Sequence, residues 1–398
     1  MHDYLDKNGI EVLMIIEGEI ATTHLIERIL MACGSHGIKY RKQFLSNLDF
    51  EDFKENTIPL FVRCADPVLE YWIDLLRRAN YPYLYYIDDN FWRIDGDTDL
   101  ARYYHHHLVR RSLDFAVANA NKVLTNSWQL SEFISQYNQN TSVLPAFFDF
   151  SLIDGCVRKS TEEIRIGFAG SSSREADLEI IKPLIFSILK AHPSVVFEFA
   201  GAMPSGMSES ERIRFFPHTA DYASFVRFQA ERGWAIGLAP LVDSEANRCK
   251  TNNKYREYGA CKIAGVYSAI EPYTKSVREG VTGVLVQNTI SAWMAAVNKL
   301  IIEKSLRKEI SEHAYSDVLE KHSVHSVSLV WAECLQDEGE FLHQKNVLPL
   351  KYVRRRLSSR MFLLQIEAFW IQIETAYKTG GFSLIVKKAL KKLGGKAW

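Results

Sequence analysis

Short apolar runs recur along this chain, separated by longer segments whose apolar residues fall three and four positions apart. The first run, Glu11-Val-Leu-Met-Ile-Ile16, is short and continuous, which suits a strand buried on both faces of a parallel sheet. From His24 to Cys33, Leu25, Ile29, Leu30 and Cys33 share one face and predict a helix. Further strands are predicted at 59–63, 83–87, 122–125 and 142–145. Helices are predicted over 67–78, with Leu69, Trp72, Ile73 and Leu76 inward, over 103–120, and from a Ser127 cap to about Tyr137. The polar stretch Arg158 to Glu163 reads as a linker. The pattern then restarts with strands at 164–169, 195–200, 235–239 and 264–268, and helices over 177–191, 293–300 and 306–318. Strands alternating with amphipathic helices predict an α/β protein with parallel sheets covered on both faces. The expected division is 1–157, 158–340 and a tail at 341–398, the first two being doubly wound.

Charge changes this picture only at the end of the chain. Lys+Arg and Asp+Glu both number 48 in 398 residues, so no global field points to nucleic acid. From Lys345 to Trp398, however, twelve Lys and Arg stand against two acids, leaving 36 basic and 46 acidic residues before it. Phe382, Ile385, Val386, Ala389, Leu390 and Leu393 share one helical face, flanked by Lys387, Lys388, Lys391 and Lys392. Such a basic amphipathic helix suits an anionic membrane surface; packing back on the acidic body is the alternative. The six cysteines form no Cys-x-x-Cys pair, as expected of reduced thiols in the cytoplasm. The start, Met-His-Asp-Tyr-Leu-Asp, argues against a secretory signal, and no apolar run approaches the ~20 residues of a membrane span.

Six motifs in order carry a family resemblance over roughly residues 80–335. They are Asn121-Lys-Val-Leu-Thr-Asn-Ser127, Val143-Leu-Pro-Ala-Phe-Phe-Asp149, Arg165-Ile-Gly-Phe-Ala-Gly-Ser171, Trp234-Ala-Ile-Gly-Leu-Ala-Pro-Leu241, Lys254-Tyr-Arg-Glu-Tyr-Gly-Ala260 and Gly280-Val-Thr-Gly-Val-Leu-Val286. Together they resemble the GT-B glycosyltransferases, specifically family 4 and its bacterial polysaccharide and O-antigen branch. The resemblance implies two Rossmann-like domains facing a cleft, with the nucleotide-sugar donor on the second. It implies a retaining, metal-independent transfer with no resident cofactor. The acceptor expected is a lipid-linked glycan in cell-surface polysaccharide synthesis, and the expected location is the inner face of the cytoplasmic membrane. The family usually carries two Glu residues eight positions apart; with Glu257 as the second, Cys249 holds the first position. That departure keeps open a non-catalytic GT-B scaffold, or a glycan-binding partner of another transferase. An epimerase or phosphorylase on the same fold is a further rival.

The chemistry needs charge stabilisation on a leaving diphosphate, which backbone N–H groups at a helix start and basic side chains supply. Gly170, Ser171, Ser172 and Ser173 form the small-residue loop for this task, with Arg174, Lys250 and Lys254 as the cations and Asn253 beside them. Glu257 is the expected partner of the ribose hydroxyls, and Glu271 and Tyr273 are placed near the donor sugar. An ordinary turn, a solvated helix face and a rigid turn are the respective structural alternatives. Asp88 and Asp89 follow a strand, at the rim where ligands gather. There one could orient or deprotonate an acceptor hydroxyl; capping of the next turn is the alternative. His24 and the loop residues Thr22 and Thr23 are further acceptor-side candidates. His105-His106-His107 is no metal triad, because consecutive helical residues point about 100° apart. Self-association through 357–377, or a complex with other transferases, stays open.

Overall fold

The computed structural model describes residues 10–343, apart from 55, 95, 97, 160, 172, 173, 218 and 220, together with 350 and 360–374. Ser172, Ser173 and the basic segment 382–393 lie outside the described residues. The chain divides into two compact units, Met1–Leu144 with Ser328–Trp398, and Pro145–Val327.

The first unit holds six parallel strands: β1 (Glu11–Ile16), β2 (Lys39–Phe44), β3 (Thr57–Val62), β4 (Leu84–Tyr86), β5 (Lys122–Thr125) and β6 (Thr141–Val143). Their order is β2-β1-β3-β4-β5-β6. Val12 to Ile16 are wholly buried, as the uninterrupted apolar run requires of a strand covered on both faces. The sequence reading has no counterpart of β2. Its residues, Lys-Tyr-Arg-Lys-Gln-Phe, are those of an edge strand, where charge deters pairing with another chain. Arg41 there meets Glu11 at 2.9 Å and Asp52 at 2.8 Å.

The second unit repeats the plan with β7 (Ile164–Ala169), β8 (Val195–Ala200), β9 (Ile213–Phe216), β10 (Ile236–Ala239), β11 (Ala264–Ser268) and β12 (Val284–Val286). The order is β12-β11-β10-β7-β8-β9, again all parallel. Gly167 in β7 is demanded by packing: a Cβ there would lie 1.9 Å from the Trp234 ring. The indole N–H of Trp234 donates to the buried Glu198 at 2.8 Å, and Arg232 holds the same carboxylate. The helix expected over 177–191 is two helices, Glu175–Leu178 and Lys182–Ala191, with Pro183 in the first turn of the second. Proline fits a first turn and breaks an interior one.

The unit boundaries differ from those expected at 157 and 340. Residues after Leu144 join the second unit, where the Phe148 amide donates to the His322 carbonyl at 2.7 Å. The helix Val324–His343 belongs mostly to the first unit. There Trp331 packs on Tyr86, Lys122 meets Glu338 at 2.5 Å, and Gly339 lets the helix close on Ile10. Residues 360–374 are also helical and lie in the first unit. Leu364, Ala368 and Ile371 form the buried side of that helix, and Arg360 is tied to Asp74 at 2.9 Å and Glu70 at 3.3 Å.

Candidate functional site

In an open parallel sheet the strand order reverses once, and ligands bind outside the carboxyl ends of the strands at that reversal. In the second unit the reversal falls between β7 and β10. β7 runs directly into Gly170 and Ser171, and beside them opens a cleft of about 270 Å³. Gly170 and Ser171 line it together with Lys254 and Glu257 from the helix Asn253–Ala260, and Asp221, Tyr222 and Phe225 from the start of the helix Tyr222–Arg232.

The helix Asn253–Ala260 is held by its other face. Gly259 packs on Ala314 and Val318, where a Cβ would come within 2.6 Å of Val318. Tyr255 donates to Asp317 at 2.6 Å, and Tyr258 to the Leu238 carbonyl at 2.8 Å. That anchoring fixes Glu257, only 4% exposed, at the cleft floor. Its carboxylate takes Lys254 Nζ at 2.8 Å and the Tyr222 hydroxyl at 3.5 Å. Lys254 also lies 5.4 Å from the centre of the Phe225 ring. The cleft thus offers a fixed carboxylate, a cation and a backbone turn of small residues. That set can hold a vicinal diol and an adjoining anion.

The sequence-predicted residues divide around this cleft. Gly170, Ser171, Lys254 and Glu257 are brought together. Arg174, Lys250, Asn253, Glu271 and Tyr273 are not among the cleft's lining residues. Arg174 pairs with Asp177 at 3.1 Å, and Asn253 accepts from Arg256 in its own helix. Tyr273 is 3% exposed and packs in the core, its ring tilted against that of Tyr267 at 5.0 Å. Asp221, Tyr222 and Phe225 were not legible as site residues. Their only signal is an Asp opening a helix: Asp221 accepts from the Ser224 amide at 2.8 Å.

In the first unit, Asp88 is committed to a polar cluster. It accepts from the Thr22 hydroxyl at 2.5 Å and pairs with Arg63 at 3.3 Å, while Asp89 stands 4.0 Å from the same guanidinium. Thr23 accepts from the Ile20 amide at 2.9 Å and closes the start of the helix Ala21–Cys33. His24 is largely exposed, 3.7 Å from Glu19. Glu19, His24 and Glu27 bring ligand-type atoms within 4.8 Å of one another. Lys42, at 2.8 and 2.7 Å from the two carboxylates, already bridges that cluster.

No protein-family model and no curated protein matches this sequence. Solved structures do match. Anabaena HepE in complex with UDP superposes with a TM-score of 0.59 at 13% identity, covering 82% of this chain and 100% of that one. Sucrose-phosphate synthase from Thermosynechococcus elongatus gives 0.57 at 10% identity over 83% of this chain and 99% of that one. A glycosyltransferase from Rickettsia africae gives 0.52 at 10% identity, over 85% and 100%. The two six-stranded parallel sheets, shared with these proteins across most of the chain, are the GT-B fold.

Proposed function

We infer that the protein is a glycosyltransferase that moves a sugar from a nucleotide-sugar, held in the cleft of the second unit, to a glycan acceptor. The observation that carries this is the pair Lys254–Glu257 beside Gly170 and Ser171. Glu257 accepts from the ribose hydroxyls. Lys254 and the backbone N–H groups of the turn face the diphosphate, whose negative charge grows as the sugar leaves. Likeness to family 4 favours retention: the acceptor oxygen bonds to C1 on the face from which the diphosphate departs, and its proton passes to a phosphate oxygen. HepE was solved with UDP and with UDP-glucose, which makes uridine the first base to try.

The acceptor in this reading is a lipid-linked glycan of cell-surface polysaccharide, met at the anionic inner face of the cytoplasmic membrane. Two features support it. Phe362, Leu363, Ile366, Phe369 and Trp370 form an exposed apolar row on the helix 360–374, Phe362 being 64% and Trp370 61% exposed. The sequence around that helix carries the basic excess, and each Lys or Arg near an anionic surface contributes about 1 kcal/mol. No described helix is long and apolar enough to cross a membrane.

The test is thermal stabilisation by UDP, GDP, dTDP, CMP and ADP. A nucleotide at 100 times its Kd adds ~2.7 kcal/mol to the state that binds it. One nucleotide should raise the melting temperature, and its effect should vanish in Lys254→Ala. If none of the five moves the transition, the donor-site reading is wrong.

A further inference from the structure

The stretch that leads into β7 crosses the second unit as a strap, and two anchors fix its course. Upstream, Phe150, Leu152 and Ile153 lie against the buried cluster that contains Trp234, Tyr258 and Cys261. Downstream, Arg158 donates to the Lys262 carbonyl at 3.1 Å and to the Trp234 carbonyl at 2.6 Å, and the Lys159 amide donates to the Glu231 carbonyl at 2.9 Å. Cys156 stands between these anchors, its amide donating to the Ile153 carbonyl at 3.1 Å. One anchor touches the cluster that holds Cys261, and the other touches the carbonyl of the residue after it. Cys156 and Cys261 are therefore neighbours, close enough that charge on the Cys156 sulfur opposes ionisation of Cys261.

The two thiols are unlike. Cys261 is 7% exposed and closes the helix Asn253–Ala260, its amide donating to the Glu257 carbonyl at 3.1 Å. Burial first, and the Glu257 carboxylate next, hold its thiol well above the ordinary range, so it is protonated and unreactive at neutral pH. Cys156 is partly exposed, and Asp154, Gly155 and Val157 around it face water, Gly155 at φ 72°. A loop with so few packed side chains can shift its sulfur at little cost. Among the other cysteines, Cys33, Cys64 and Cys249 are buried, and the partly exposed Cys334 lies in the first unit.

We propose that Cys156 and Cys261 form a redox-sensitive clamp, open as two thiols and closed by a peroxide as a disulfide, that ties the strap to the end of the helix carrying Lys254 and Glu257. With hydrogen peroxide, the Cys156 sulfur attacks one oxygen, the O–O bond breaks, and the departing hydroxide takes the thiol proton as water. The sulfenic acid left on Cys156 is attacked by the Cys261 sulfur. The S–S bond forms, the S–O bond breaks, and hydroxide leaves with the Cys261 proton as a second water. Two electrons have passed from the thiols to the peroxide. Because Cys261 is a weak acid, its sulfur is a poor leaving group, so the closed clamp is slow to reduce at that end. Neither the bond nor its effect depends on what the nearby cleft binds.

The experiment treats the reduced full chain with hydrogen peroxide, blocks the remaining thiols under denaturing conditions and maps the peptides by mass spectrometry. One cross-link should dominate, joining Cys156 to Cys261 and released by dithiothreitol. It closes a loop of about 100 residues, a length at which a disulfide is strongly stabilising, so a thermal transition should rise by several degrees. Cys156→Ser, a change at a partly exposed position, should abolish both effects, and Cys261→Ala should do the same. Phenylarsine oxide gives a check without oxidation: it is held tightly only by two adjacent thiols, so it should bind the wild type and not Cys156→Ser. A dominant cross-link between other cysteines, sulfinic acid on Cys156 with no cross-link, an unshifted transition in the cross-linked protein, or equal arsenical binding by wild type and Cys156→Ser would overturn the proposal.

Discussion

The two units place their ligand-facing residues at the same topological position and equip them oppositely. In the second, the strand before the reversal runs into Gly170 and Ser171, and the nearby acid Glu257 is paired with Lys254. In the first, the corresponding strand runs into Glu17, whose neighbours are backbone amides, a phenol and a second acid. The fold supplies the place, and side-chain charge decides the occupant. A cleft with a cation and bare backbone can take a diphosphate.

The contrast extends to pH. In the second unit His322 is mostly buried beside Arg256. Burial first, and that guanidinium next, lower its imidazole to about 4, against a partly opposing hydrogen bond to the Ala146 carbonyl. Its ordinary value is 6.5, so the unfolded chain binds this proton more readily. The associated stability is present above pH 6.5 and is lost as pH falls through 4. The loss reaches at most ~3 kcal/mol. In calorimetry, the transition that nucleotide shifts should fall in this window, and the wild type should lose more than His322→Asn. Equal slopes for the two proteins would remove His322 as the cause.

Next in size is the contact proposed between Glu257 and the ribose. A hydrogen bond to a charged group is worth about 1.5–3 kcal/mol, so Glu257→Ala should weaken the stabilising nucleotide by ~10–100-fold. Titration calorimetry of the nucleotide on wild type and variant checks this, and equal affinities would remove Glu257 from the nucleotide contacts.

Legibility followed distance along the chain. β1 is an uninterrupted apolar run, and β7, β8 and β11 are largely apolar and buried, so they could be read directly. β2 could not, because an edge strand paired only with β1 keeps a polar, loop-like composition. The return of Val324–His343 to the first unit is decided by what Trp331 and Glu338 meet there, which periodicity does not encode. Gly170, Lys254 and Glu257 were legible because each sits inside a contiguous motif. Asp221, Tyr222 and Phe225 come from a separate helix, which only the fold sets beside them. Glu17 was least visible of all: a single acid after a strand acquires meaning from amides 48 and 49 residues away. The pairing of Asp88 with Thr22, 66 residues apart, similarly turned a candidate base into part of a cluster.

The smallest expected effect has the opposite sign to that of His322. Glu17 sits near 7 in the folded protein against an ordinary 4.5. The folded state therefore holds this proton more tightly than the unfolded chain. The contribution is complete below pH 4.5 and is lost as pH rises through 7. Because the Glu17 side chain is exposed to water, the change should be a small fraction of that for His322. Glu17→Gln cannot ionise, so its melting temperature relative to wild type should climb between pH 5 and 8, roughly the span between the two values. A difference between the two proteins that stays flat from pH 5 to 8 would show that Glu17 is solvated like any surface acid. The first unit would then lose the feature that sets it apart from the second. A climb in the transition that nucleotide does not shift would localise the effect to the first unit and complete the contrast between the two reversals.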